Sequence, residues 1–122
     1  MRLCREVEFR LRREPAGTGG PADIIGTIDC MYQTADGAWH LIDYKSVDEA
    51  GHSEEELTAR YELQLAAYAL AVEQLSGAPP LTASLVRLGP PTRAIAVSVT
   101  KKSLDAAARR IDKAISTLRG EN

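Results

Sequence analysis

Apolar and polar residues alternate from Leu3 to Arg13, with Val7, Phe9 and Leu11 set against Glu8, Arg10 and Arg12. A period of two predicts a half-buried strand. Pro15 to Pro21 is rich in glycine and proline and reads as a loop. Two β-rich runs follow, Ile24 to Tyr32 and Trp39 to Lys45, with Asp36-Gly37 between them. Asp-Gly between two such runs is a hairpin signal. Ser53-Glu54-Glu55-Glu56 is a capping box that opens a helix, and three acids in its first turn suit the positive end of the helix dipole. Leu57, Tyr61, Leu65, Tyr68, Val72 and Leu75 recur at helical spacing until Gly77 and Pro79-Pro80 end the run. Leu81 to Leu88 and Ala94 to Val99 predict two more strands. Ser103 can cap a last helix with a stripe of Leu104, Ala107, Ala108, Ile111, Ile115 and Leu118. The order is β-β-β-α-β-β-α, which predicts an α/β fold with a central mixed sheet flanked by helices.

At 122 residues the expectation is a single domain, 1–122, large enough to bury a core without staples. No apolar run approaches the roughly 18 residues of a membrane span, and Met1 to Glu6 lacks the features of a signal peptide. Cys4 and Cys30 form neither a metal spacing nor a disulfide framework, which suits a reducing cytoplasm. The net charge of −2 lacks the basic footprint usual for phosphate binding. Acids gathered to hold a metal would lower that sum, however.

The hairpin decides whether such acids gather. If Ala35-Asp36-Gly37 is a three-residue loop closed by a left-handed Gly37, Thr34 pairs with Ala38 and Asp29 lies opposite Asp43. Lys45, two residues on, shares that face. A two-residue Asp36-Gly37 loop would put the two acids on opposite faces. Facing carboxylates destabilise a hairpin unless Lys45 or a cation neutralises them. Hard oxygen donors suit Mg²⁺ or Mn²⁺. A metal that lowers the pKa of bound water, beside a lysine that orients it or offsets charge, is chemistry for phosphodiester hydrolysis. The plain alternative is a cross-strand ion cluster.

Gly26-Thr27-Ile28-Asp29, Ile42-Asp43-Tyr44-Lys45-Ser46 and Gln64-Leu65-Ala66-Ala67-Tyr68-Ala69 resemble, in order, the G-x-x-D, D-Y-K and Q-x-x-x-Y patterns of the RecB-like PD-(D/E)XK nucleases. The likeness is to the C-terminal nuclease domain of AddA/RecB-type bacterial helicase–nucleases and spans roughly Glu6 to Ala71. It implies a restriction-endonuclease-like fold and exonucleolytic cleavage of DNA coupled to a helicase in double-strand-break repair or recombination. It implies Asp29, Asp43 and the backbone carbonyl of Tyr44 as ligands of Mg²⁺ or Mn²⁺, and Lys45 as the catalytic lysine. Gln64 and Tyr68 would support the site or touch the DNA. Implied partners are the helicase domains of a longer parent chain and a second nuclease or helicase subunit. These nucleases usually carry a helix before the first strand. Its absence here predicts a C-terminal piece of a longer protein. Glu6 matches an acidic position common in the family.

Other residues read more plainly. Tyr61 reads as core, His40 as facing away from Asp43, and His52 as a solvated loop residue. Arg10, Arg12, Arg13, Lys101, Lys102, Arg109, Arg110 and Lys113 read as a solvated charged face. One rival function is a catalytically silent scaffold that keeps the fold and binds DNA or a partner chain, against which the full Asp29, Asp43, Lys45 set argues. The other is a nuclease acting on RNA or on a defined DNA structure.

Overall fold

The computed structural model describes residues 2–15, 19–45, 53–88 and 92–120. The elements are β1 (Arg2–Arg13), β2 (Ala22–Gln33), β3 (Trp39–Lys45), α1 (Glu54–Ser76), β4 (Thr82–Arg87), β5 (Arg93–Val97) and α2 (Lys101–Leu118). They form one sheet in the order β1-β2-β3-β4-β5. Its neighbours are antiparallel except β3 and β4, which run parallel because α1 carries the chain back between them. The fold is α/β with a mixed sheet.

The β2–β3 turn settles the hairpin register. Gly37 donates its N–H to the Thr34 carbonyl at 2.9 Å, and Thr34 donates to the Ala38 carbonyl at 3.0 Å. Gly37 has φ +89, which glycine adopts without steric cost. This is the three-residue loop, and the ladder then runs from Gln33↔Trp39 to Cys30↔Ile42. Ser53 caps α1 with both bonds of the capping box, and Gly77, at φ +86, ends it. The cap of α2 is Thr100 rather than Ser103. Thr100 is extended and its hydroxyl accepts the Ser103 N–H. Ser103 is therefore already inside the first turn.

α1 and α2 pack against one another on the same side of the sheet. The middle of α1 is consequently buried almost all round, from Leu65 and Ala66 through Tyr68 to Val72. Ala66, Ala69 and Ala71 let it sit close to its neighbours. The stripes predicted for the two helices fail at their ends: Leu75 is 74% and Leu118 88% exposed. Arg13 also departs from the solvated face expected of it. It makes two bonds, 2.9 and 2.8 Å, to the Asp112 carboxylate, which ties β1 to α2 and holds the Arg13 pKa above its ordinary value. No described helix is long and apolar enough to cross a membrane.

Strict alternation breaks once in the sheet. Cys4 and Val7 on β1, and Ile28 and Met31 on β2, all line one groove beneath α1 although each pair is three residues apart. Period two would put them on opposite faces. The change of phase falls at Glu6 and Asp29, the one pair missing from a ladder that otherwise runs from Arg2↔Gln33 to Arg13↔Ala22. Glu6 has φ +51, the sole positive φ at a non-glycine position among the described residues. One residue on each strand drops out of the ladder here without a change of register, so both strands change phase together.

Candidate active site

The change of phase has a direct chemical result. Ile28 is buried in the core, and the next residue, Asp29, brings its carboxylate to Asp43 on the same side of the sheet. The Asp29 carboxylate accepts the Tyr44 backbone N–H at 2.9 Å. It thereby satisfies strand backbone just beyond the rung Cys30↔Ile42, where the ladder ends. Extended by one pair, that register sets Asp29 against Asp43.

Asp43 follows Leu41 on the inner face of β3 and is 2% exposed. Its carboxyl group lies in hydrogen-bond reach of Asp29. Burial, then the Asp29 contact, push its pKa up to about 6, against the opposing pull of Lys45. Two touching carboxylates in a dry place cannot both ionise cheaply. Lys45 Nζ stands 2.8 Å from Asp43 Oδ2. Lys45 is the charge partner of this buried oxygen.

Lys45 is anchored from α1. Its ammonium donates to Gln64 Oε1 at 3.3 Å and lies 3.8 Å from the centre of the Tyr61 ring. Gln64 in turn donates through Nε2 to the Tyr68 hydroxyl at 2.8 Å. Tyr61, Gln64 and Tyr68 occupy one face of α1 at i, i+3 and i+7. The buried Tyr68 ring meets Phe9 edge to face, with centroids 5.0 Å apart. Burial and the nearby Asp43 charge raise the Tyr68 pKa, so its hydroxyl stays protonated. Phe9 lies over Gly26, where a Cβ would come within 2.7 Å of the ring. The Gly26, Asp29, Asp43, Lys45, Gln64 and Tyr68 positions are thus linked physically, from the sheet to the helix and back.

Tyr61 packs against the core, as its helical spacing predicts, and also reaches the site. It is only partly buried, and the face of its ring carries the Lys45 ammonium. Its spacing from Gln64 and Tyr68 was the available signal. His40 lies outside this cluster. It stacks on Tyr32 at 4.7 Å and contacts the hydroxyls of Thr82 and Thr34 at 2.8 and 3.3 Å. Glu6 is exposed. His52 and Ser46 fall outside the described residues.

The donor set suits a hard divalent cation. Asp43 is a buried carboxylate whose charge only Lys45 offsets among the described residues, Asp29 adds a second carboxylate, and Mg²⁺ typically asks for one or two. Among the described residues no three or more His, Cys, Asp or Glu side chains gather at one point.

A family model for the PD-(D/E)XK nuclease superfamily matches residues 2–122. A chain of the ATP-dependent helicase/nuclease of Bacillus velezensis is 37% identical over 91 residues. That match covers 62% of this chain and 7% of the relative, so the chain corresponds to a small part of it. Two solved structures share the fold. SSO0001 superposes with a TM-score of 0.60 at 18% identity, over 98% of this chain and 52% of its own. A candidate exonuclease of Eubacterium rectale gives 0.55 at 16% identity, over 98% and 46%.

Proposed function

The chain belongs to the PD-(D/E)XK nuclease superfamily, and we propose that it hydrolyses DNA phosphodiester bonds at the cluster of Asp29, Asp43 and Lys45. The observation that carries this is the buried Asp43 carboxylate, set against a second carboxylate and 2.8 Å from the Lys45 ammonium. Asp29 and Asp43 would hold Mg²⁺ or Mn²⁺. The Tyr44 carbonyl would join them: its N–H points to Asp29, and a strand residue presents N–H and C=O to the same side. When bound, such a metal supplies a water of lowered pKa and offsets charge on the phosphate.

The chain's own residues do the rest. Asp29 fixes the strand end through the Tyr44 N–H, so the two carboxylates converge without a search. Lys45 brings one positive charge to a pair that bears up to two negative ones. Its ammonium can orient an attacking water or offset charge in the transition state. Gln64 and Tyr68 hold that ammonium in register with the sheet. The dry setting strengthens each of these interactions.

The substrate and context are part of the same reading. The resemblance to helicase–nucleases supports a nuclease domain of a longer DNA-processing protein, working exonucleolytically beside helicase domains in the cytoplasm, in double-strand-break repair or recombination. A second nuclease or helicase subunit would be its partner. The test uses Asp43→Ala and Lys45→Ala in the full-length protein, on linear duplex and single-stranded DNA with Mg²⁺ or Mn²⁺. Both should abolish cleavage while the circular dichroism spectrum is retained. Wild-type rates in either variant would remove the assignment.

A further inference from the structure

We propose that Tyr61 is a positioning residue for Lys45, holding the ammonium group on the face of its ring at the edge of the acidic pair. The inference rests on the catalytic role proposed for Lys45. Nζ lies 3.8 Å from the ring centroid, well inside the roughly 6 Å over which such a contact acts. The Lys45 side chain is 15% exposed, so the contact is made largely out of water, where it is strongest.

Lysine is a point charge on a flexible stem, and its position is set by what surrounds the ammonium. Among the described residues three groups do so: Asp43 Oδ2, Gln64 Oε1 and the Tyr61 ring. Gln64 and Tyr61 both lie on α1 and hold the helix side of the ammonium while Asp43 holds the other. The ring does this with its negative face and offers no lone pair. It therefore anchors the charge without competing with Asp43 as a ligand or proton acceptor. A tyrosine acting only as core would need none of this geometry.

The test compares Tyr61→Phe with Tyr61→Leu in the full-length protein. Phenylalanine keeps the ring face and leucine keeps apolar bulk alone. One readout is independent of cleavage. In a spectrum of protein labelled at lysine with ¹³C, the Lys45 Cε protons should be shifted upfield by the ring, the signal being assigned by its loss in Lys45→Arg. The shift should survive in Tyr61→Phe and vanish in Tyr61→Leu. The second readout is kinetic: kcat should fall about tenfold in Tyr61→Leu with KM unchanged, as expected for one desolvated contact of this kind, and Tyr61→Phe should restore it. Should the leucine variant not fold, Tyr61→Met replaces it. An unshifted Lys45 signal in the wild type overturns the inference. So does an equal loss in Tyr61→Phe, or a wild-type kcat in Tyr61→Leu. If Lys45→Ala itself cleaves normally, the proposed function has failed, and the upfield shift still decides whether Tyr61 positions Lys45.

Discussion

The Phe9 ring lies across Gly26 on the neighbouring strand, filling the space that a side chain at that position would take. A Cβ on residue 26 would sit 2.7 Å from ring atom Cε1. The ring is 6% exposed and backed by Tyr68, so it has little room to yield.

Gly26→Ala should therefore push Phe9 and, through it, Tyr68 and Gln64. We expect a destabilisation of about 1–3 kcal/mol, the usual cost of overpacking a tight core. Thermal melts check that figure. Cleavage should fall further than the lost stability accounts for, because Gln64 also holds Lys45. A variant with wild-type melting and cleavage would show that the ring moves freely.

Tyr68 combines two roles that two substitutions separate. Tyr68→Phe removes the hydroxyl that accepts from Gln64 and keeps the edge contact with Phe9. It should cost about 1 kcal/mol, one net hydrogen bond, yet lower cleavage by freeing the Gln64 amide. Tyr68→Ala also opens the core and should cost about 3–5 kcal/mol. Denaturant titrations of the two variants should differ by at least about 2 kcal/mol. Equal losses would mean that the ring carries no packing energy.

Much of this arrangement was legible in the residues. The element order and the wiring of the hairpin follow from alternation and helical spacing, but Asp36-Gly37 allowed two registers. Only the left-handed φ of Gly37 and the Thr34–Ala38 bond decide between them. The phase change at Glu6 and Asp29 was not legible. A rule of strict alternation has no place for two consecutive residues, Ile28 and Asp29, on one side of a strand. Tyr61 does pack against the core, but an apolar helical stripe gives no sign that one ring face also meets a cation. Leu75 and Leu118 read as buried because periodicity cannot say where a helix overhangs the sheet.

Glu6 tests the change of phase. At φ +51 a residue with a Cβ carries roughly 1–2 kcal/mol of strain. Glu6→Gly should relieve it and raise the melting temperature, whereas the β-branched Glu6→Val should lower it. The exposed Glu6 side chain makes its loss a small term. A glycine variant that melts below the wild type would show that the carboxylate contributes more than the backbone strain costs.

Asp43 gives the prediction with the sharpest sign. Its folded-state pKa is up to about 6, above the usual carboxylate value of about 3.9. The folded protein then binds this proton more tightly than the unfolded chain. The stabilisation is complete below about pH 4 and is lost as the pH rises through about 6. Above that, the fold carries an ionised pair at a cost on the order of 2–3 kcal/mol. Asp43→Asn keeps the shape and drops the charge. At pH 8 in chelator it should melt at or above the wild type, and it should lose the decline that the wild type shows between pH 4 and 7. A cation that binds only the folded wild type at a Kd of about 1 mM should, at about 10 mM, return roughly 1.4 kcal/mol. That raises Tm by a few degrees, and the asparagine variant should lack most of the response. Protons compete with the cation for Asp43, so the response should shrink below pH 6. A structural ion pair predicts the reverse at pH 8: no metal response, and a less stable Asp43→Asn because Lys45 has lost its partner. Melts of both proteins across pH, with chelator and with Mn²⁺, separate the two outcomes.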